Sequence, residues 1–225
     1  MSQGISEILT FAVGVAISPV PIIAVILMLF SARAKVNGPM FLLGWAAALA
    51  VVSFAVYFAA DAGDPATSSG ASDAISWGQV VLGALLVVLA LRTWRKRPAP
   101  GEQPDMPKWM GGIDGLAPGK ALGLGLLLAG PNPKNLLLTV GAATSLSQLG
   151  LDPTDAVVSL IVFVVVGSLT IGLPVLYYLV GGDRAHATLD DLKAWLTLHN
   201  DAVMTVLFLV FGVKLIATAI PPLTG

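Results

Sequence analysis

Residues 126–138 read Leu-Leu-Leu-Ala-Gly-Pro-Asn-Pro-Lys-Asn-Leu-Leu-Leu, an apolar run whose centre holds Pro131, Asn132, Pro133, Lys134 and Asn135. The run around it, 121–146, is longer than the roughly 20 residues that cross a hydrocarbon core of about 30 Å. Proline inside a helix removes an amide donor and clashes with the preceding turn, so a membrane helix here is kinked or broken at its middle. The first apolar run, 4–30, carries the same device as Ser18-Pro19-Val20-Pro21. Four more runs, 39–60, 77–94, 156–180 and 202–220, bring the expected total to six membrane spans.

Bulk composition agrees with a membrane chain. Hydrophobic residues make up 56% and charged ones 11% of the sequence, and the mean hydropathy is +0.87, which excludes an ordinary soluble domain. The formal net charge is -1, so no basic field suggests a nucleic-acid partner. There is no cysteine, and His186 and His199 lack a surrounding set of carboxylates, so neither a disulfide nor a metal site is expected. The first run carries Glu7 and no Lys or Arg before its apolar stretch, and it is too long for a signal peptide.

The charges orient the spans. Arg33 and Lys35 follow the first run, Arg92, Arg95, Lys96, Arg97 and Lys108 follow the third, and Arg184 and Lys193 follow the fifth. The intervening loops carry Asp61, Asp64, Asp73 and Asp152 instead. By the positive-inside rule the basic loops are cytoplasmic and both termini lie outside. The Pro/Gly-rich stretch 98–119 is an expected cytoplasmic linker that is not helical throughout. It separates a first three-helix repeat, 1–97, from a second, 120–225. Trp109, Met110 and Ile113 within it suit either an interfacial anchor or a plug over a cytoplasmic mouth.

The halves resemble each other. Pro19-Val20-Pro21 matches Pro131-Asn132-Pro133, and residues 85–92, LLVVLALR, match 207–214, LFLVFGVK. An odd number of spans per half inverts the second half relative to the first, the plan of many secondary transporters. The expected fold is therefore all-α and integral to the membrane, with six helices in two inverted repeats whose first and fourth helices are broken.

A half-helix starting at Pro21 leaves the amides of Ile22, Ile23 and Ala24 unpaired, and one starting at Pro133 leaves those of Lys134, Asn135 and Leu136. In inverted halves both positive dipole ends aim at the bilayer centre. Lys134 adds a full charge there, where an ionisable group costs at least about 2.5 kcal/mol on insertion scales. Together with Asn132, Asn135 and Ser18 this makes an anion site for a phosphate, sulfate or carboxylate. The alternative is that Lys134 ties down carbonyls freed by the break. Glu7 suits a proton acceptor or a solvated surface acid, Lys214 can snorkel to the interface, and Gly123-Leu124-Gly125 suits helix packing. No nucleophile–base pair or carboxylate dyad suggests an enzyme.

The paired breaks, Gly130-Pro131-Asn132-Pro133-Lys134-Asn135 and the linker residues Pro107-Lys108-Trp109-Met110 with Ile113-Asp114 resemble the GAP family of peptidoglycolipid- or sulfolipid-addressing proteins within the LysE exporter superfamily. The resemblance covers nearly the whole chain. It implies export of an anionic lipid or glycolipid across the plasma membrane, without a cofactor. It leaves an amino-acid or ion exporter, and a non-transporting scaffold for lipid-synthesis enzymes, as alternatives. The implied partners are the membrane lipid, the bilayer, lipid-biosynthesis enzymes and a second copy in a homodimer. The paired breaks make Lys134, Asn132, Asn135, Pro131, Pro133, Pro19, Pro21 and Ser18 the expected substrate-binding residues, with Glu7, Trp109 and Asp114 as candidates for coupling or gating.

Overall fold

The computed structural model of the protein describes residues 2–61, 68–97 and 108–224, and every regular element in them is helical. In chain order these are α1 (Ser2–Ala16), α2 (Pro19–Leu29), α3 (Ala34–Asp61), α4 (Ser68–Lys96), α5 (Pro118–Ala129), α6 (Pro133–Ser147), α7 (Pro153–Gly181) and α8 (Ala185–Thr224). Short 3-10 segments cover Lys108–Gly115 and Gly182–Arg184. The first apolar run is broken as its prolines predict, with α1 and α2 bent by 57°. The fourth run is divided at 130–132 into α5 and α6.

Four helices are long and apolar enough to cross a membrane, and the bent α1–α2 pair makes a fifth candidate. In the apolar windows of α4 and α8 only 28% of residues are buried within the protein. Val51, Leu127, Leu173 and Val180 are among the large apolar side chains left exposed. An apolar exterior on this scale is stable against lipid and not against water, so the chain is a multi-pass membrane protein.

Several boundaries differ from the sequence expectation. Helix α3 starts at Ala34, so Pro39 lies inside it near its start. Helix α8 starts at Ala185, well before the expected 202, because Ala185, Leu189 and Leu196 continue the buried stripe while Asp190 and Lys193 pair on the outside. Within the expected linker, Met110 and Ile113 are buried and the 108–115 segment packs on α2. The side-chain Nδ2 of Asn37 also donates to the Leu116 carbonyl at 3.0 Å. The first part of the linker, 98–107, lies outside the described residues.

Glycines set how closely the helices cross. A Cβ on Gly44 of α3 would sit 2.1 Å from the Leu122 carbonyl oxygen, and one on Gly125 of α5 would sit 2.2 Å from that of Phe41. These are backbone atoms of the neighbouring helix, so no rotamer change relieves either clash. Helices α4 and α8 cross in the same way, Gly83 facing the Gly212 carbonyl and Gly212 facing that of Gly83. Without a hydrophobic drive between helices in lipid, such close approach supplies the packing energy. Of the glycines at 123 and 125, only Gly125 is at a crossing, because a Cβ on Gly123 meets nothing within 4 Å.

This predicts opposite effects two residues apart. Gly125→Ala forces the α3–α5 pair apart and lowers stability by about 1–3 kcal/mol. Gly123→Ala is neutral or raises it by up to about 1 kcal/mol through helix propensity. Thermal unfolding of both variants in detergent checks the pair, and equal stability of the two would refute the crossing as the cause.

Candidate functional site at the paired proline breaks

Pro19 and Pro21 lack the amides that would have bonded the carbonyls of Val15 and Ile17 four residues earlier. Both carbonyls have substitute donors. Lys134 Nζ donates to the Ile17 carbonyl oxygen at 2.6 Å and to Ser18 Oγ at 2.7 Å. Ser18 Oγ in turn donates to the Val15 carbonyl oxygen at 2.5 Å. The carbonyl between them, Ala16, accepts from the hydroxyl of Thr170 on α7 and from the Ser18 amide at 2.8 Å.

The second break is held by its own residues. Asn132 caps α6, its Oδ1 accepting from the Lys134 amide at 3.2 Å. Asn135 Nδ2 donates back across the break to the Leu128 carbonyl oxygen at 3.0 Å. Its Oδ1 lies 3.3 Å from Ser18 Oγ, so the breaks meet side by side. Lys134 is 3% exposed, Ser18 2% and Asn135 0%. The two ion pairs among the described residues do not involve Lys134, so its ammonium sits among neutral acceptors.

The pool of free amides expected at each half-helix start is smaller than the sequence suggests. Helix α2 begins at Pro19, and the Ile22 amide bonds to the Ser18 carbonyl at 3.1 Å. With proline at its first and third positions, α2 keeps only the Val20 amide in its first three. In α6 the Lys134 amide is capped and the Leu136 amide bonds to the Asn132 carbonyl at 2.8 Å, which leaves the Asn135 amide. Fewer free amides are thus available at the breaks than two intact half-helix starts would present.

The candidate residues separate into groups. Lys134, Asn135 and Ser18 meet at the buried junction, and Pro19 and Pro21 are buried beside it. Asn132 is a helix cap, and Pro131 and Pro133 face outward into an apolar groove against α4. Glu7 lies away from the breaks, its carboxylate 3.0 Å from the Lys214 ammonium, which also stands over the Phe11 ring. Lys214 is thus paired and does not merely snorkel. The side chains of Trp109 and Asp114 lie outside the described residues. The Trp45 indole, which bonds the Gly167 carbonyl at 3.2 Å, and Thr170 were not singled out by sequence, since neither interrupts an apolar run.

These features define the class: a multi-pass helical membrane protein with a buried lysine at broken helices. The sequence matches the family described as Sap, sulfolipid-1-addressing protein, over residues 8–221, and the chain belongs to that family. This fits a membrane protein involved in lipid handling. No curated protein and no solved structure matches it.

The bonding sets the cost of removing each donor. Lys134→Met strands the Ile17 carbonyl and Ser18→Ala strands that of Val15, so each costs about 1–3 kcal/mol. Because the groups form one network, the double variant costs less than the sum; strictly additive unfolding energies in detergent would refute the network. At the other end of α1, a cycle over Glu7→Gln and Lys214→Met yields a coupling of about 1 kcal/mol or less for this part-exposed pair. Zero coupling in that cycle would reduce the contact to proximity.

Proposed function

We propose that the protein is a six-crossing exporter of two inverted halves that moves an anionic lipid or glycolipid across the plasma membrane, with Lys134 binding the headgroup. The observation that carries this is the buried Lys134 side chain, brought by the second half into the break of the first and held there by neutral acceptors. A cation without a counter-charge is costly in an apolar setting, and a sulfate or phosphate oxygen offsets that cost better than a carbonyl does. Headgroup binding and the present tie use the same ammonium. An arriving anion therefore releases the Ile17 carbonyl and Ser18, and the α1–α2 bend is free to change. A ligand that binds one arrangement better shifts the population toward it.

Helix pairing supports the inverted repeat. Exchanging the halves turns the α1–α7 contact into α5–α3 and the α2–α8 contact into α6–α4, while α3–α7 and α4–α8 map onto themselves. Counting α1–α2 and α5–α6 as one crossing each gives three per half, which requires inversion. The Gly83–Gly212 crossing shifts the third-helix register by about two turns from the one that pairs 85–92 with 207–214. With basic loops inside, both termini face outward. A homodimer and contact with lipid-synthesis enzymes are compatible with this arrangement, which needs no cofactor and no catalytic step.

The second reading is a scaffold in which Lys134 is only a tie, and the same two bonds favour it. A small-solute exporter is the third. Lipid on the outer surface of a deletion strain separates them. We expect the anionic glycolipid to disappear from that surface, to return with the wild-type chain, to return in part with Lys134→Arg and to stay absent with Lys134→Met. Full return with a folded Lys134→Met protein would refute headgroup binding. Unchanged surface lipid in the deletion strain would refute lipid export. The orientation is checked by a Gly101→Cys variant, whose thiol should resist an impermeant reagent in intact cells; ready labelling would reverse it.

A further inference from the structure

The outward side of the second break borders a groove of about 410 Å³ between α4 and α6. Leu85, Val88 and Leu89 form its α4 wall, and Leu136 and Leu137 its α6 wall. Pro131 and Pro133 lie at the break, and Arg92 is the charged residue among those lining the groove. Leu85 and Val88 are nearly half exposed, at 48% and 46%, so the groove opens sideways rather than into the bundle. From Leu85 to Arg92 the helix rises about 10 Å, most of the roughly 15 Å depth of one leaflet.

A neighbouring aromatic side chain suits an interfacial level for Arg92. Trp94 is 50% exposed, a placement aromatic residues adopt at the interface. The Arg97 guanidinium stacks over the Trp94 ring at 3.7 Å and bonds the Trp94 carbonyl at 3.0 Å, so Arg97 is engaged. Arg92 lies two residues from Trp94, about 3 Å deeper along the helix, beside the groove, and the ion pairs among the described residues leave it without a carboxylate. A guanidinium at the base of the headgroup layer presents a planar fork of donors suited to two oxygens of one phosphate or sulfate. A second groove of about 380 Å³, beside α5, is lined by Lys120, and a third at α3–α7, about 300 Å³, has no charged residue in its lining.

We propose that the α4–α6 groove is a lateral binding site for an anionic membrane lipid. Arg92 holds the phosphate or sulfate oxygens of the headgroup, and an acyl chain lies along Val88, Leu89, Leu136 and Leu137, away from the proline break, because α4 and α6 run antiparallel with Gln79 against Ser145 and Gln148. This rests on the lipid reading above and adds where the lipid waits before its headgroup reaches Lys134. On the orientation given above, the lipid enters from the inner leaflet.

The test uses the full chain, which has no native cysteine. Leu136→Cys, labelled with bimane in nanodiscs, reports brominated acyl chains that enter the groove. Brominated phosphatidylglycerol should reach half-maximal quenching at a roughly tenfold lower mole fraction than brominated phosphatidylcholine, the factor a charge-assisted bond supplies. Arg92→Gln should bring the two lipids level, Arg92→Lys should keep part of the preference, and Lys120→Gln should leave it unchanged. Equal quenching by both lipids, or a preference that survives Arg92→Gln, overturns the site. So does a disulfide that links two unlabelled Leu136→Cys chains in membranes, which would assign the groove to a second copy. The preference in a protein that exports no lipid supports the site while refuting export; equal quenching in one that does export overturns the site alone.

Discussion

A backbone carbonyl that loses its helical donor inside an apolar medium has no water to turn to, and the bundle is arranged around that constraint at one place. Pro19 and Pro21 remove the donors for Val15 and Ile17, and the replacements come from Ser18 in the break itself and Lys134 from α6, while Thr170 from α7 donates to the Ala16 carbonyl between them. An unsatisfied group of this kind costs several kcal/mol in hydrocarbon. The break thus dictates that α6 and α7 converge on it. Asn135, bonding Leu128 across the second break and lying against Ser18, makes the two interruptions one polar centre in an apolar bundle.

The remaining packing follows from how closely helices approach around that centre. Gly44 with Gly125 and Gly83 with Gly212 let backbones meet where any side chain would intervene. Large residues fill the rest, with Phe11, Phe41, Trp45 and Phe163 fully buried. One cation at the centre and a second at the rim of an outward groove are separated by the Pro131–Pro133 turn, whose prolines face the groove while Lys134 faces inward. The turn is therefore a partition between a lipid-facing surface and the polar centre.

Local features were legible in the sequence. The prolines located both breaks, and an apolar run flanking Lys134 marked it as unusual. The start of α2 lies two residues before the expected one, because a proline suits both the first and third positions of a helix and the sequence does not say which one begins it. The early start of α8 was hidden by Asp190, Asp191 and Lys193, which look like a loop until the buried residues between them are seen to keep helical spacing. Long-range partners were not legible at all. Glu7 and Lys214 each looked like an isolated charge near a span end, and nothing local in either stretch announces the other. The glycines at 44 and 125 each permitted close packing without naming a partner.

Interdigitation of the halves has a consequence for biogenesis. Helix α1 packs chiefly on α7 and α6, and α3 on α5, so the principal neighbours of each belong to the half made later. Glu7 and Lys214 are 207 positions apart, a stretch that takes about 10–40 s to translate at about 5–20 residues per second. Through that interval Glu7 lacks its counter-charge, and the Ile17 carbonyl lacks its donor for the 117 positions that separate it from Lys134. The pairing of Glu7 is therefore complete only once the last helix has been made.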